Sequence, residues 1–237
     1  MAQRCAVVTG GARNIGQAIG RRLQQDGYRV VALDIVEPED ASLRADARIV
    51  DLSDRAAAEA ALAEIAAALP VTCLVNNVGI VAPAVFDDVD VADFDKLMHL
   101  NVRTAVICAR ALVPVMRRAG GGRIVMNTSR VTLGKEARTL YSASKGALQA
   151  MARTWALELA KDRITVNCVA PGPIATTVFW KNNPPQSDYT KKLVASIPLG
   201  RMGLPEDVAN AVSFFCDDRA GFVTGQTLFV CGGVTVG

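Results

Sequence analysis

The sequence predicts an α/β fold in which a doubly wound parallel sheet carries helices on both faces. Strand-like and helix-like segments alternate along the whole 237-residue chain, which is the pattern of a parallel sheet covered on both sides. The strand-like segments are short apolar runs bounded by turn residues. The chain shows no linker, internal repeat or low-complexity tract, so we expect a single domain over residues 1–237.

The first half of the chain is expected to supply four strands and two helices. An apolar run, a glycine-containing turn and an amphipathic segment predict a first strand followed by a helix. A second apolar run ends at Asp34, and an Ala/Glu-rich segment later in this half has high helix propensity. The strands are expected at 5–9, 29–34, 47–50 and 71–75, and the helices at 14–26 and 55–69.

The second half continues the alternation until one segment interrupts it. Residues 176–203 hold two adjacent prolines and the aromatic residues Phe179 and Trp180, and they break the alternation. We interpret them as a mobile insertion near the site, because long loops in compact domains are usually functional or disordered. The remaining helices are expected at 91–118, 139–161 and 205–216, and the remaining strands at 122–127, 164–169 and 227–231.

Composition excludes several classes of function. Charged residues make up 21% of the chain and the net charge is +3, without a Lys/Arg cluster, so we expect no nucleic-acid or membrane partner. The N-terminus enters an apolar strand without a signal peptide, and the six cysteines are scattered, which favours reduced thiols in a cytoplasmic protein. The single histidine, His99, leaves little to bind a metal, and we interpret it as structural.

A glycine turn between the first strand and its helix indicates a dinucleotide site. Glycines let the backbone approach a pyrophosphate, and the helix N-terminus offers free N–H groups to it. Asp34 ends the second strand, where a carboxylate meets the adenosine ribose in Rossmann-type folds. This ordered set of features favours dinucleotide binding over a structural turn. The turn residues expected at the cofactor are Gly10, Arg13, Asn14, Ile15 and Gly16.

Two charged residues point to different cofactors. The Asp34 carboxylate can accept hydrogen bonds from both ribose hydroxyls and would repel a 2′-phosphate, and Ile35 stands where an arginine would bind that phosphate. Arg13 could pair with the phosphate, or it could pack over the adenine or face solvent. On the strength of Asp34 we expect NAD, with NADP as the runner-up.

Tyr141 and Lys145 are the candidate proton-transfer residues. Their spacing of four places them on one face of a helix. A free tyrosine has a pKa of about 10, and a nearby ammonium favours the phenolate and lowers that pKa. Ser129 ends the preceding strand-like segment, so its hydroxyl could hydrogen-bond a substrate oxygen beside the tyrosine. We therefore predict Tyr141 as an acid/base.

Together these residues resemble the short-chain dehydrogenase/reductase family, and the match covers essentially the whole chain. Asn101, Ser129, Tyr141 and Lys145 match the family's catalytic tetrad, in which the asparagine is expected to hold a water in a proton relay to the lysine. The other cofactor contacts that the resemblance implies are Asp51 and Leu52 at the adenine, Asn77, Val78 and Gly79 after the fourth strand, and Pro171, Gly172, Ile174 and Thr176 at the nicotinamide.

The resemblance also implies a mechanism and an assembly. Lys145 would bind the nicotinamide ribose and lower the pKa of Tyr141, Ser129 would steady the substrate oxygen, and the tyrosine would transfer its proton while a hydride moves. A homotetramer would form through the helices containing Asn101 and Tyr141 and through the last helix and strand. Asn14 departs from the family, which usually has glycine there, but asparagine tolerates left-handed geometry.

Three functions remain open at this point. The first is an NAD-dependent dehydrogenase acting on a small-molecule carbonyl or alcohol. The second is an NADPH-dependent 3-oxoacyl-thioester reductase, against which Asp34 argues. The third is a catalytically silent dinucleotide-binding regulatory protein, which the intact tetrad disfavours. Arg130, Lys135 and Arg138 could contact an anionic substrate, or they could form a solvated loop with Glu136.

Overall fold

The protein is built on one seven-stranded sheet whose strands all run parallel. A computed structural model describes residues 4–236, apart from the side chain of Asn182. The strands are β1 (Cys5–Thr9), β2 (Arg29–Asp34), β3 (Arg48–Ile49), β4 (Val71–Asn76), β5 (Gly122–Asn127), β6 (Ile164–Pro171) and β7 (Thr227–Val230). Their order is β3-β2-β1-β4-β5-β6-β7, which confirms the predicted doubly wound fold.

Helices cover both faces of this sheet. They are α1 (Asn14–Gln25), α2 (Arg55–Ala68), α3 (Ala92–Leu97), α4 (Thr104–Arg118), α5 (Thr139–Leu159), α6 (Thr177–Asn182), α7 (Asp188–Ala195) and α8 (Pro205–Cys216). The first and last of these, α1 and α8, share one face, whereas α2, α4 and α5 lie on the other. Within residues 4–236 no helix has both the length and the apolarity needed to cross a bilayer.

The central strands separate two apolar clusters, one on each face of the sheet. In β1, Val7 packs with the α2, α4 and α5 side and its neighbour Val8 packs with the α1 and α8 side. Both faces are buried, so the strand must be continuously apolar rather than alternating. All six cysteines lie buried within this framework as free thiols.

The structure departs from the expected elements in three places. The helical stretch 91–118 is interrupted between α3 and α4 by a π-helical turn at Met98–Arg103, which contains Asn101. The third strand is only two residues long and both of them are exposed, because it pairs only with the end of β2. The insertion at 176–203 is not a single irregular loop, since it contains α6 and α7.

Candidate active site

A cleft of about 780 Å³ opens at the carboxyl edge of the sheet. It lies where the strand order reverses between β1 and β4, which is where ligands bind in open α/β sheets. The glycine turn with Asp34 and the segment holding Ser129, Tyr141 and Lys145 line this one cleft. The structure thus brings the two predicted ends together, and Asn101 is the one predicted site residue outside the lining.

The turn after β1 presents free backbone donors at the start of α1. No side chain caps this helix, and the N–H groups of Asn14, Ile15 and Gly16 have no acceptor within residues 4–236. Asn14 adopts φ 48°, the left-handed geometry that explains why glycine is usual there. A Cβ on Gly16 would lie 1.8 Å from the Gly10 carbonyl oxygen, so only glycine fits. Unpaired donors at a helix N-terminus suit a pyrophosphate.

The Asp34 carboxylate is held at the opposite wall of the turn. Its Oδ2 accepts a hydrogen bond from the Ala12 N–H at 3.0 Å, and its Oδ1 accepts one from the Ile35 N–H at 2.8 Å. Arg13 turns instead towards Glu39, with a separation of 3.6 Å between Nε and Oε1. The cation in the turn therefore already has a carboxylate partner, and the fixed anion at the cleft wall is Asp34.

Asn77 ties the end of β4 to the glycine turn. Its Nδ2 donates to the carbonyl oxygens of Thr9 and Gly10, both at 3.0 Å, while its Oδ1 accepts from Asn127 Nδ2 at 2.7 Å. The Thr9 hydroxyl accepts the N–H groups of Asn77 and Val78. These contacts connect β1, β4 and β5 at the floor of the cleft, which gives the cofactor turn a rigid support.

Lys145 reaches the cleft floor from α5 as a buried cation. Its Nζ donates a 2.8 Å hydrogen bond to the Asn127 carbonyl oxygen, and only 3% of the residue is exposed. Burial lowers the pKa of Lys145 to about 8, because the charged form loses its hydration. The ammonium lies 5.6 Å from the centre of the Tyr141 ring, one helical turn away.

The pKa of Tyr141 shifts in the opposite direction to that of Lys145, although burial is the main cause of both shifts. Burial raises its pKa above the usual value, while the nearby Ser129 hydroxyl and the charge of Arg138 act in the lowering direction without cancelling that rise. The sequence had predicted a lowering by Lys145, and this expectation is wrong for the geometry observed. Since the pKa of Lys145 is about 8, the lysine is neutral by the pH at which Tyr141 ionises.

Asn101 lies behind the cleft on the π-helical turn, where its amide braces the loop after β4. Its Oδ1 accepts the Ile80 N–H at 2.8 Å, and its Nδ2 donates to the Ile80 carbonyl and to Ser144 Oγ, both at 3.0 Å. A Cβ on Gly79 would lie 3.1 Å from Asn101 Oδ1 and 3.3 Å from Lys145 Nζ. The missing side chain at Gly79 therefore lets both Asn101 and Lys145 approach the backbone of this loop closely.

Comparison with known proteins agrees with this geometry. The family model described as enoyl-(acyl carrier protein) reductase matches residues 10–235. A (2S)-((R)-hydroxy(phenyl)methyl)succinyl-CoA dehydrogenase subunit of Thauera aromatica is 35% identical, with 97% of this chain and 96% of the relative covered. A 3-oxoacyl-(acyl-carrier-protein) reductase of Aggregatibacter actinomycetemcomitans is 36% identical, over 96% of this chain and 98% of the relative.

The chain belongs to the short-chain dehydrogenase/reductase family. A provisionally named NAD(P)-dependent gluconate 5-dehydrogenase from Beutenbergia cavernae, solved with NADP bound at low occupancy, superposes with a TM-score of 0.91. It is 34% identical, with 100% of this chain and 98% of the other covered. As a short-chain dehydrogenase/reductase, the protein is an oxidoreductase that uses NAD(P) for hydride transfer.

Two site features of this short-chain dehydrogenase/reductase escaped the sequence reasoning. The strand expected at 122–127 ends at Asn127, but nothing in the sequence indicates that the carbonyl of this residue accepts a hydrogen bond from Lys145. Ser144 lies inside the tyrosine motif and was not connected with Asn101, although their side chains are hydrogen-bonded. Neither contact has a sequence signal of its own, because each joins segments far apart in the chain.

The insertion forms a wall over the cleft that is tied to the cofactor turn. Val178 and Phe179 of α6 and Tyr189 of α7 line the cleft. Asn14 Oδ1 accepts hydrogen bonds from the N–H of Thr177 at 2.9 Å and from its Oγ1 at 3.0 Å. The asparagine that replaces the usual family glycine thus makes a contact that glycine could not make.

Proposed function

We propose that the protein interconverts a secondary alcohol and the corresponding carbonyl with NAD(H), using Tyr141 as the acid/base. The observation that carries this proposal is the convergence of Ser129, Tyr141 and Lys145 in the same cleft as the free donors of α1. When bound, the nicotinamide ring donates or accepts the hydride. The polypeptide contributes the orientation of the substrate oxygen and a proton at that oxygen.

Tyr141 and Ser129 are the residues that address the substrate oxygen. Because the pKa of Tyr141 is raised, its hydroxyl stays protonated at neutral pH and is ready to donate to a carbonyl oxygen. Alcohol oxidation requires the opposite transfer, so its rate should rise with pH as the phenolate forms. Ser129, which lines the same cleft as Tyr141, offers a second contact to the same oxygen.

Lys145 holds the cofactor ribose and contributes a positive charge beside Tyr141. With a pKa of about 8, it is mostly protonated at neutral pH and carries that charge in a buried position. Its hydrogen bond to Asn127 fixes the ammonium on the cleft floor. Asn101 then acts as a positioning residue that holds the loop containing Ile80 and Gly79 against α5.

The residues present fit a dinucleotide and favour NAD over NADP. The unpaired N–H groups of Asn14, Ile15 and Gly16 suit a pyrophosphate, and the fixed Asp34 carboxylate suits two ribose hydroxyls. Arg13 pairs with Glu39 rather than turning towards the ribose position, which weakens its claim as a phosphate ligand. The relative solved with NADP favours the runner-up cofactor, so the choice rests on Asp34.

The second candidate is an NADPH-dependent 3-oxoacyl-thioester reductase. The similarity to the 3-oxoacyl-(acyl-carrier-protein) reductase favours it. Asp34 disfavours it, because a 2′-phosphate would approach a carboxylate whose position two backbone N–H groups fix. A silent regulatory protein is a weaker alternative, since Lys145 is buried with no carboxylate partner among residues 4–236, and such a charge is costly to keep for structure alone.

A turnover screen tests the proposal directly. Alcohols and carbonyls are offered with NAD(H) and NADP(H), and the change in nicotinamide absorbance is followed. We expect turnover with NAD(H) and faster alcohol oxidation at alkaline pH. Turnover confined to NADPH with acyl thioesters would favour the second candidate, and cofactor binding without any turnover would favour a silent protein.

We further propose a homotetramer in the cytoplasm. Large apolar side chains are exposed on the elements expected to form the subunit contacts, namely Leu157 on α5, Phe214 on α8 and Leu228 on β7. Apolar groups exposed on an edge strand and its neighbouring helix are typical of an interface. The six free thiols suit a reducing compartment.

A further inference from the structure

Three cations lie on the short segment between β5 and α5 and line the substrate end of the cleft. They are Arg130, Lys135 and Arg138, and all three are half-buried. The segment begins with a 3-10 helix, Arg130–Leu133, whose first turn is capped by Ser129 Oγ, which accepts the Val131 N–H at 3.4 Å. Ala137 then adopts φ 55°, a constrained backbone geometry that places Arg138 directly before α5.

In the part of the chain that the structure describes, these cations have no carboxylate partner. Within residues 4–236 none of them forms an ion pair with an acidic side chain within 4.0 Å. Burial, followed by the charges of Arg130 and Arg138, lowers the pKa of Lys135, and the exposed Glu136 opposes this only in part. Half-buried like charges that repel one another are unfavourable unless an anion joins them.

Negatively and positively charged side chains line different parts of the cleft. Asp34 and Asp51 are the carboxylates in its described lining, and both lie at the adenosine end. Arg138 is close enough to Tyr141 to lower the pKa of that hydroxyl, and Arg130 directly follows Ser129 in the chain. The cations therefore lie on the segment that carries Ser129 and leads into the helix of Tyr141, whereas the carboxylates of the described lining lie at the adenosine end.

Apolar side chains of the insertion line the same cleft. Val178 and Phe179 of α6 and Tyr189 and Leu193 of α7 line it. Val178 and Tyr189 are more than half exposed, so they are free to cover a ligand rather than being used in the core. The substrate end thus combines an apolar surface with an unneutralised cationic one.

We propose that the substrate is an organic anion, a carbonyl or secondary-alcohol compound that carries a carboxylate or phosphate group. Arg130, Lys135 and Arg138 bind the anionic group, and its apolar body lies under α6 and α7. The guanidinium groups can donate paired hydrogen bonds to either kind of anion. This inference rests on the proposed function for the reaction, whereas the anion site itself can be measured without turnover.

The first experiment compares matched neutral and anionic substrates. Oxo carboxylates with the carbonyl two to four carbons from the carboxylate are compared with their methyl esters, using NADH oxidation. We expect kcat/KM to favour the best acid over its ester by about tenfold or more, as one charge-assisted contact gives. Arg130→Gln with Lys135→Gln should reduce that ratio at least fivefold, whereas Lys161→Gln, an exposed lysine remote from the cleft, should not.

The second experiment needs no chemistry. Benzoate and phenyl phosphate are titrated into the protein by calorimetry, with and without NAD, and benzamide serves as the neutral control. At least one anion should bind more tightly than benzamide and should weaken about tenfold in the Arg130→Gln, Lys135→Gln variant. The stronger of the two identifies carboxylate or phosphate as the preferred group.

The two experiments distinguish a failure of the proposed function from a failure of the proposed anion site. Anion binding without turnover of any probe would reject the proposed function and leave the anion site standing. Turnover with equal rates for acids and esters, or titrations in which neither anion exceeds benzamide, would overturn the anion site. An unchanged affinity in a double variant that melts at the temperature of the wild type would overturn it as well.

Discussion

Burial shifts the pKa values of Tyr141 and Lys145, the two central side chains of the cleft, in opposite directions. It raises the pKa of Tyr141 and lowers that of Lys145, because in each case it penalises the charged form. Near neutral pH the tyrosine is therefore protonated, as its proposed role as a proton donor requires, and the lysine remains mostly cationic. Burial, rather than the attraction between the two residues, therefore dominates both pKa shifts.

Tyr141→Phe tests whether the hydroxyl of Tyr141 transfers the proton. The substitution removes the hydroxyl and keeps the ring, so folding and cofactor affinity should be retained. Turnover should fall by roughly 10²–10⁴-fold, the usual contribution of a general acid/base. Steady-state kinetics together with a cofactor titration provide the measurement, and near-normal turnover in a folded variant would contradict the mechanism.

Lys145 should make stability depend on pH in a predictable direction. Its pKa is lowered from 10.5 in water to about 8 in the folded protein, so between these values the unfolded chain holds the proton that the folded protein has released. Stability then rises with pH. Relative to Lys145→Met, the free energy of unfolding of the wild type should increase by about 1–2 kcal/mol from pH 7 to 9.5.

Urea unfolding at several pH values measures this dependence. Lys161→Met is the matched control, because that lysine is exposed and should follow the wild type at every pH. A constant difference between wild type and Lys145→Met over the whole range would show that the buried lysine has an ordinary pKa.

Asp34 should determine the choice between the two cofactors. Its fixed carboxylate favours two ribose hydroxyls and repels a 2′-phosphate, so kcat/KM should favour NAD by roughly two orders of magnitude, at about 1.4 kcal/mol for each tenfold. Asp34→Ala should narrow the difference, and adding Ile35→Arg should reverse it, because Ile35 is 65% exposed and leaves room for the longer side chain.

A near-isosteric variant separates charge from shape at this position. Asp34→Asn keeps an acceptor for a backbone N–H but loses the negative charge, so it should reduce the discrimination without reversing it. A wild-type preference for NADPH on any accepted substrate would mean that Arg13 outweighs Asp34.

At the scale of elements, the contact between Asn14 and Thr177 links the cofactor turn to α6. Asn14→Gly keeps the left-handed backbone and removes the acceptor for both Thr177 donors. Trypsin should then cut at Lys181 or Lys191 several-fold faster, while global stability changes by about 1 kcal/mol or less. Mapping the first cleavage by mass spectrometry checks this.

The companion variant is Asn14→Asp, which retains an acceptor oxygen and should keep the insertion protected. Equal cleavage rates in wild type and Asn14→Gly would show that α6 is held by its apolar contacts alone.

Much of the element pattern follows from the sequence because its signals are local. The strands β1 and β5 and the helix α8 begin and end where apolar runs and turn residues predict. The π-helical turn around Asn101 was not predicted, since its stabilising contacts to Ile80 and Ser144 come from distant segments. The helices of the insertion were missed because α6 is too short for helical periodicity to show.

The site residues that could be predicted are those that lie in a recognisable sequence motif. Asp34, Tyr141 and Lys145 carry such signals, and the structure places them in one cleft. The direction of the Tyr141 pKa shift was not predictable, because it depends on how completely the folded chain excludes water from each group.

At the scale of the whole molecule, exposed apolar side chains favour assembly. Leu157, Phe214 and Leu228 lie on elements expected to meet partner subunits, and Phe222 between α8 and β7 is fully exposed. Light scattering at micromolar concentration should give four times the monomer mass of 25.1 kDa. Leu157→Glu with Phe222→Glu should lower that mass, since a charge buried at an interface is costly.

The matched control for assembly is Ile49→Glu. This residue is also exposed, but it lies on β3 at the opposite edge of the sheet, so the mass should be unchanged. A monomer mass for the wild type would reject the tetramer.

The six buried thiols allow local unfolding of the chain to be followed by the labelling of its own cysteines. They are distributed over both halves of the molecule, and burial raises the pKa of Cys108 and of Cys168 to about 12, so both are inert while covered. An alkylating reagent can reach such a thiol only after the surrounding element separates from the core. The order in which the cysteines become labelled would therefore rank the cooperative units of the fold, from the edge of the sheet to its centre, without any engineered probe. The positions are Cys5 on β1, Cys73 on β4, Cys108 on α4, Cys168 on β6, Cys216 at the end of α8 and Cys231 after β7.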